Sequence, residues 1–261
     1  MGRAKDIVVK PIAAKDATAI VKRLHYSGTV AASSQLHLGV FMDGKCGGVM
    51  QFGPSLDKRK MLGLVEGTEW NGFIELNRMA FADWLPRNSE SRALGYAFRW
   101  IRKQYPHIKW AVSFADGTQC GDGTIYRASG FVLTAIKRNT TMWRLPDGFI
   151  FADVGLRATS SNVRKRVGYT VGEPFSKFKK RTGAIAVPGF QLRYIYFLDP
   201  SARERLTVPI LPFSEIEKRG AGMYKGKPKT SAGSSSVEHS DSIGEVGGSI
   251  PTPALKSITV E

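Results

Sequence analysis

The side chains best suited to moving a proton in this chain are a histidine, two tyrosines, a serine and an aspartate. His25 and Tyr26 stand together in the run His25-Tyr26-Ser27-Gly28. Ser113 and Asp116 close an apolar run that begins at Trp110, and Tyr126 follows after a glycine-rich loop. An imidazole titrates near neutral pH, and with a carboxylate and two phenols it can pass protons to or from a substrate. Taken singly, each residue has a plainer role. A histidine at a helix C-terminus is favoured by the helix dipole, an aspartate in a loop caps a turn, and a buried tyrosine is often a core residue with a satisfied hydroxyl. Arg78 has two readings, as a holder of phosphate or carboxylate and as half of a buried structural pair. No metal is expected, because His25, His37 and His107 lack ligand spacing; a mixed site of His25, Asp116 and a tyrosine is the alternative.

These residues need elements to hold them. Residues 6–12 read as a strand, and Ala17, Ile20, Val21 and Leu24 have the spacing of an amphipathic helix that stops at Gly28. Leu36–Met42 and Gly47–Phe52 flank Asp43-Gly44, a strong hairpin signal. Residues 54–72 read as a charged, irregular loop. Phe73–Phe81 alternates as a strand with Glu75, Asn77 and Met79 on one face and Leu76, Arg78 and Ala80 on the other. A long helix starts near Asn88, carries Ala93, Leu94, Ala97, Trp100, Ile101 and Tyr105 as its apolar stripe, and ends before Pro106. Trp110–Asp116 is the next strand. Gly117, Gly121 and Gly123 form the loop, and a short helix bearing Tyr126 is terminated by Gly130. Val132–Leu145 and Gln191–Leu198 read as strand regions.

The chain has 261 residues and a formal charge of +16. From Ser214 onward six basic and six acidic residues cancel, so the whole excess lies in residues 1–213. Arg157 to Arg193 contains nine Lys/Arg and one acid, Glu173. Such a field favours polyanions, nucleic acid above all; a solvated basic surface is the plain alternative. Arg164, Lys165 and Arg166 form one cluster, and Lys177, Lys179, Lys180 and Arg181 a second. Gly168, Gly172 and Pro174 mark turns between them, which suggests a ribbon or paired arms. There is no apolar run long enough to span a membrane and no signal peptide, and Cys46 and Cys120 form no disulfide framework, so a cytoplasmic setting is expected. From about residue 226 the composition turns to Gly, Ser, Thr and Pro, which predicts disorder.

The polar strand end, glycine loop and tyrosine-bearing helix closed by Gly130-Phe131 resemble the last strand and helix of the GNAT acyltransferase superfamily. The fuller string, SFAD before the loop and GTIYRASGF after it, resembles the phage Mom family of DNA-adenine modification proteins. The resemblance covers residues 5–213 and is densest at HYSG, ELNRMAF, NSESRALGYAFRWI and Trp110–Phe131. It implies an α/β fold, a GNAT-like mixed central sheet flanked by helices, with residues 157–190 as a basic insertion between the last two strands. Residues 1–213 are then the catalytic domain and 214–261 a tail. The gap between Phe73–Phe81 and Trp110–Asp116 is expected to open as a V, with Ser113 and Met79 facing it.

The resemblance further implies that His25, Tyr26, Ser113, Asp116 and Tyr126 form a catalytic cleft, with Tyr126 as general acid. Acetyl-CoA or a related acyl donor would lie along Met79 and Phe81, its pyrophosphate at Asn88, Ser89, Ser91 and Arg92, where backbone N–H groups start the long helix. The superfamily pattern there is Gln/Arg-x-x-Gly-x-Gly/Ala; Ala93 matches it, and Ser91 stands in place of the glycine. An ordinary helix cap accounts for the same residues. The implied reaction places a carbamoylmethyl (acetamido) group on the 6-amino nitrogen of adenine in phage DNA, blocking host restriction. The target base must leave the double-stranded stack, and Tyr26, Trp70 and Trp84 are candidates to receive it. The two basic clusters would supply phosphate contacts. The rival expectations are an acetyltransferase for a small amine or peptide and a non-catalytic DNA-binding module.

Overall fold

The computed structural model describes residues 2–118, 121–157, 162–224 and 227–228. Its elements run β1 (Val8–Pro11), α1 (Ala14–Leu24), β2 (Leu36–Met42), β3 (Lys45–Gly53), α2 (Lys58–Leu62), β4 (Phe73–Phe81), α3 (Ser89–Gln104), β5 (Trp110–Asp116), α4 (Thr124–Ala128) and β6 (Val132–Arg138). Then come β7 (Met142–Arg144), β8 (Ile150–Ala152), α5 (Val154–Arg157), α6 (Asn162–Val167), α7 (Phe175–Thr182), β9 (Ile185–Ala186), β10 (Phe190–Phe197) and α8 (Ser214–Lys218). Among the described residues seven strands form the main sheet in the order β1-β2-β3-β4-β5-β10-β6, antiparallel except for β4 beside β5. The mixed central sheet flanked by helices is the α/β arrangement expected from the sequence.

Burial sorts the two faces of this sheet. The alternating side chains Ala111 and Ala115 of β5 join Met50, Phe52, Ile74 and Leu76 in a core against α3. The intervening Trp110 and Val112 join Phe73 in a core with Met61, Leu64 and Val65, and Val49 and Ala80 pack on Ala17 and Val21 of α1. The stretch 54–72 is thus no plain loop: its apolar residues cover the sheet, and α2 forms within it. On α3 the buried stripe is Ala93, Leu94, Ala97, Phe98 and Ile101. Trp100 and Tyr105 stand edge to face at its margin, because a straight 3.6-residue period places Phe98 on the core side instead. Asp43 and Gly44 both take positive φ, as the hairpin signal requires.

Strands β4 and β5 pair only from Phe73↔Trp110 to Glu75↔Val112 and then part. The register of β4 against β3 slips at the same level: Gln51 lies opposite Arg78 and Phe52 opposite Leu76, leaving Asn77 as the extra residue of a bulge. Simple alternation therefore fails there. Ile74 and Leu76 share the α3 face with Met79 and Phe81. Phe73 and Ala80 lie on the opposite face, which register parity gives to Glu75 and Arg78 as well.

The stretch Val132–Leu145 is two strands rather than one. Asn139 Oδ1 accepts from the Thr141 N–H at 3.1 Å and turns the chain between them. Beyond it β7 pairs with β8 and β9 in a separate three-stranded sheet. This sheet and α5–α7 enclose their own core of Phe151, Leu156, Val163, Val167 and Phe178. The basic clusters lie on α6 and α7, not on a ribbon; Gly168 and Gly172, both at positive φ, do mark the turn between the helices. Past residue 213 the chain still packs, with Ile216 and Ala221 buried in the main core. The expected disorder from about 226 concerns residues outside those described, save Lys227 and Pro228, which pair with Met223 and Tyr224.

Gly123 starts α4 at φ 76°, and a Cβ there would meet the Tyr194 ring at 2.6 Å. Gly130 ends the same segment at φ 83° with its nearest ring atom 3.7 Å away. Gly130→Ala is expected to cost about 1 kcal/mol for the left-handed backbone, and Gly123→Ala about 1–3 kcal/mol more because the ring must shift as well. Thermal unfolding of both variants measures the difference; equal losses would show that Tyr194 does not hold the start of α4.

Candidate active site

Helix α1 delivers His25 as its C-terminal cap, the backbone N–H of His25 closing on the Val21 carbonyl at 2.9 Å. The chain then turns through Gly28 at φ 57°. Within the turn Ser27 orients the imidazole: its backbone N–H reaches His25 Nδ1 at 3.2 Å and its hydroxyl lies 2.8 Å from the same nitrogen. Since a backbone N–H only donates, Nδ1 is the acceptor and the ring proton sits on Nε2. Burial, aided by the charge of Arg78, lowers the His25 pKa to about 3. His25 is therefore a fixed neutral donor, and the expectation that it titrates near neutral pH does not hold. The exposed Tyr26 ring packs against it, tilted by 31° with 4.3 Å between centroids.

Arg78 draws these segments together. It stands just past the β4 bulge, donating through Nε to the Thr29 carbonyl at 2.9 Å and through Nη1 to the Asn77 carbonyl at 2.6 Å. Burial lowers its pKa, while Tyr26, Glu75 and Tyr126 act on it in the opposite sense. So His25 and Tyr26 from one stretch of sequence and Tyr126 from another all lie within electrostatic reach of one guanidinium. Glu75 is the carboxylate of this group. Burial raises its pKa, against hydrogen bonds from Ser55 and Asn77 and the charge of Arg78. Sequence reasoning saw Glu75 only as a strand residue; a charged side chain in a strand otherwise rich in apolar residues was the signal available.

The other expected residues divide. Ser113 is buried and its hydroxyl reaches the Leu76 carbonyl at 3.4 Å, across the point where β4 and β5 part. Asp116 ends β5 and its Oδ1 accepts the Thr118 N–H at 3.0 Å, which is a turn-capping geometry. Tyr126 is half-buried between Phe131 and Tyr194, each ring centred 5.2 Å away. Tyr194 in turn donates to the Asp122 carbonyl, and burial raises its pKa. Trp84 lies at the end of β4 toward α3, its indole over Gly47 and under Lys45, whereas Trp70 precedes the opposite end of the strand.

At the start of α3 Asn88 takes the left-handed conformation without a side-chain cap. Ser89 and Ser91 turn their hydroxyls to the carbonyls of Pro86 (2.6 Å) and Asn88 (3.2 Å), and Arg92 lies over Tyr96. What this end offers a phosphate is thus backbone N–H groups and the helix dipole, with Glu90 in the first turn opposing them. Met79 and Phe81 lie on the part of β4 that has left β5, so the backbone edge there is open to a ligand. Among the described residues no group of three or more His, Cys, Asp and Glu is placed to hold a metal.

Of the seven basic residues on α6 and α7, Arg166 and Arg181 make ion pairs within the lobe. Arg166 pairs with Asp147 at 2.7 Å and lies over Phe149; Arg181 pairs with Glu173 at 3.0 Å and donates to the Gly168 carbonyl. Lys179 lies over Trp143. Lys165, Lys177 and Lys180 are exposed.

The depressed His25 pKa has a defined consequence. Between pH 3 and 6.5 the unfolded chain binds a proton at His25 that the folded one refuses, so its contribution to stability grows as pH rises through that window. In an NMR titration the His25 ring is expected to stay neutral from pH 8 down to 5, and His25→Gln to flatten stability against pH between 3 and 6.5. A ring that titrates near 6.5 would remove the burial argument.

The chain has clear relatives. The model of the Mom protein family matches residues 6–215. The methylcarbamoylase Mom of Escherichia phage Mu is 36% identical over 215 residues, which is 82% of this chain and 85% of that protein. Similar solved structures include the ribosomal-protein-S18-alanine N-acetyltransferase of Escherichia coli, 10% identical with a TM-score of 0.40 over 74% of this chain and 94% of that one. The IAA acetyltransferase of Bacillus cereus is 13% identical, with a TM-score of 0.40 over 73% and 99%. Such distant likenesses add nothing to the strand order already described. The family match and the phage Mu relative, each spanning most of the sequence, suffice: this chain belongs to the Mom protein family.

Proposed function

We propose that this chain modifies DNA, placing a carbamoylmethyl group on the 6-amino nitrogen of an adenine flipped out of the duplex, and so shields phage DNA from restriction. The observation that carries this reading is the convergence of His25, Tyr26, Glu75 and Tyr126 on Arg78 in a chain 36% identical to a methylcarbamoylase. Adenine enters from the face that bears Glu75 and Arg78, where Tyr26 offers an exposed ring. His25 Nε2–H donates to the base or to the incoming carbonyl, and Tyr126 serves as general acid. Acetyl-CoA or a related acyl donor, or another small-molecule donor, lies along the open edge at Met79 and Phe81 with any phosphates at residues 88–92. Because the product joins nitrogen to a methylene carbon rather than to a carbonyl, plain acyl transfer does not form it. Host cytoplasm is the setting. The lobe of α6 and α7 grips phosphate through Lys165, Lys177 and Lys180, with Arg164 and Lys179 at its flank, while Arg166 and Arg181 hold the lobe together.

Two measurements test this. Nucleoside mass spectrometry of DNA from cells expressing the chain is expected to show adenine heavier by the acetamido group. Tyr126→Phe, which keeps the ring between Phe131 and Tyr194, is expected to spare the melting temperature and cut the modified fraction by roughly 10²-fold. Unmodified DNA from wild-type cells would exclude the reaction, and full activity in the variant would return Tyr126 to a packing role.

The lobe is tested by salt. Changing Lys165, Lys177 and Lys180 together to Ala is expected to flatten the log–log dependence of duplex affinity on salt by about two to three units. A slope identical to wild type would leave these lysines as a solvated surface.

A further inference from the structure

We propose that Leu56 is the wedge that enters the duplex when the target base leaves it. The inference rests on the reading above, that adenine in double-stranded DNA is the substrate. A single exposed leucine means little by itself, since folded surfaces carry many apolar atoms. Three further observations set this one apart.

First, Leu56 is 92% exposed, yet it is held firmly from both sides. On one side Ser55 is buried and hydrogen-bonds Glu75; on the other Asp57 caps α2, its Oδ1 accepting the Lys60 N–H at 3.4 Å. The side chain is presented by a fixed turn and gains no burial in return. Second, the turn sits at the candidate site. Its anchor, Glu75, lies three positions along β4 from Arg78, about 10 Å of extended chain, on the face that also receives His25 and Tyr26. Third, the next residues are Lys58, Arg59 and Lys60. Lys58 is fastened to Asn71 at 2.8 Å and lies over Trp70, while Arg59 and Lys60 are exposed. An apolar tip followed by two exposed cations suits one partner class, duplex DNA: the tip replaces the departed base in the stack and the cations meet the flanking phosphates. The Tyr26 ring takes the other side of the exchange, receiving the base.

A wedge works only where a stack must be opened, and this gives the test. Leu56→Ala should melt like wild type. It is expected to lower the modified adenine fraction in cellular DNA at least about tenfold and to weaken binding to matched duplex, while leaving the affinity for single-stranded DNA within about twofold. Val8→Ala, truncating an exposed apolar residue on the edge strand β1, controls for any loss of surface hydrophobicity and is expected to change neither. If wild-type protein modifies DNA and Leu56→Ala matches it, the wedge alone is overturned. Equal loss on both forms of DNA would likewise overturn it, by making Leu56 a general support of the site. If wild-type protein leaves adenine unmodified, the wedge falls together with the reading beneath it.

Discussion

Everything at the candidate site depends on the parting of β4 from β5. Two parallel strands that begin to pair would ordinarily continue, because each unpaired N–H and C=O forgoes a partner. Here the pairing stops after Glu75 and Val112. The bulge at Asn77 adds local twist to β4, and Ser113 bonds the Leu76 carbonyl at the apex. Each wall is held from behind: β4 by β3, and β5 by β10 through seven successive pairs. The gap is therefore a notch in a continuous sheet, whose two walls do not pair with each other beyond Glu75 and Val112.

A part-buried cation, Arg78, stands just past the point where the strands part, and its surroundings follow from the difficulty of burying charge. Arg78 cannot give up its proton, so the fold supplies carbonyl acceptors and a carboxylate instead. The same charge, with burial, keeps His25 neutral. Polar hydrogens of known direction thus surround a fixed positive centre, an arrangement that requires little reorganisation when charge develops on a bound substrate.

Much of this was legible in the sequence. Asp43-Gly44 named the hairpin, the spacing of Ala17, Ile20 and Val21 named α1, and the run from Trp110 to Phe131 named the strand, loop and helix that present Tyr126. These are local signals, set by turn chemistry and period. What the sequence hid were consequences of register and long-range packing. One inserted residue, Asn77, moved Glu75 and Arg78 onto a common face; alternation had placed them apart. Leu56 and the apolar residues after it read as loop because no period shows in so short a stretch. The neutral state of His25 could not be read either, since it comes from burial beneath elements distant in the chain. Phe98 was passed over on α3 because an aromatic stripe of Trp100 and Tyr105 fitted the period nearly as well.

The place of β10 between β5 and β6 bears on how the chain can fold at all. The strand that backs one wall of the notch is separated from β6, its other neighbour, by the whole second sheet and its helices. Closing so long a span as flexible chain carries a substantial entropic cost, and contacts between distant segments slow folding. A lobe with its own core of Phe151, Val163 and Phe178 changes the problem. Once it has formed, the ends at β7 and β9 are already paired side by side, and the search left to β10 is that of a short tether. During synthesis β5 and β6 emerge with an empty lane between them, and the β5 wall of the notch gains its backing only when Phe190–Phe197 arrives to fill that lane. The lobe thus acts as an internal splint, bringing the last strand home.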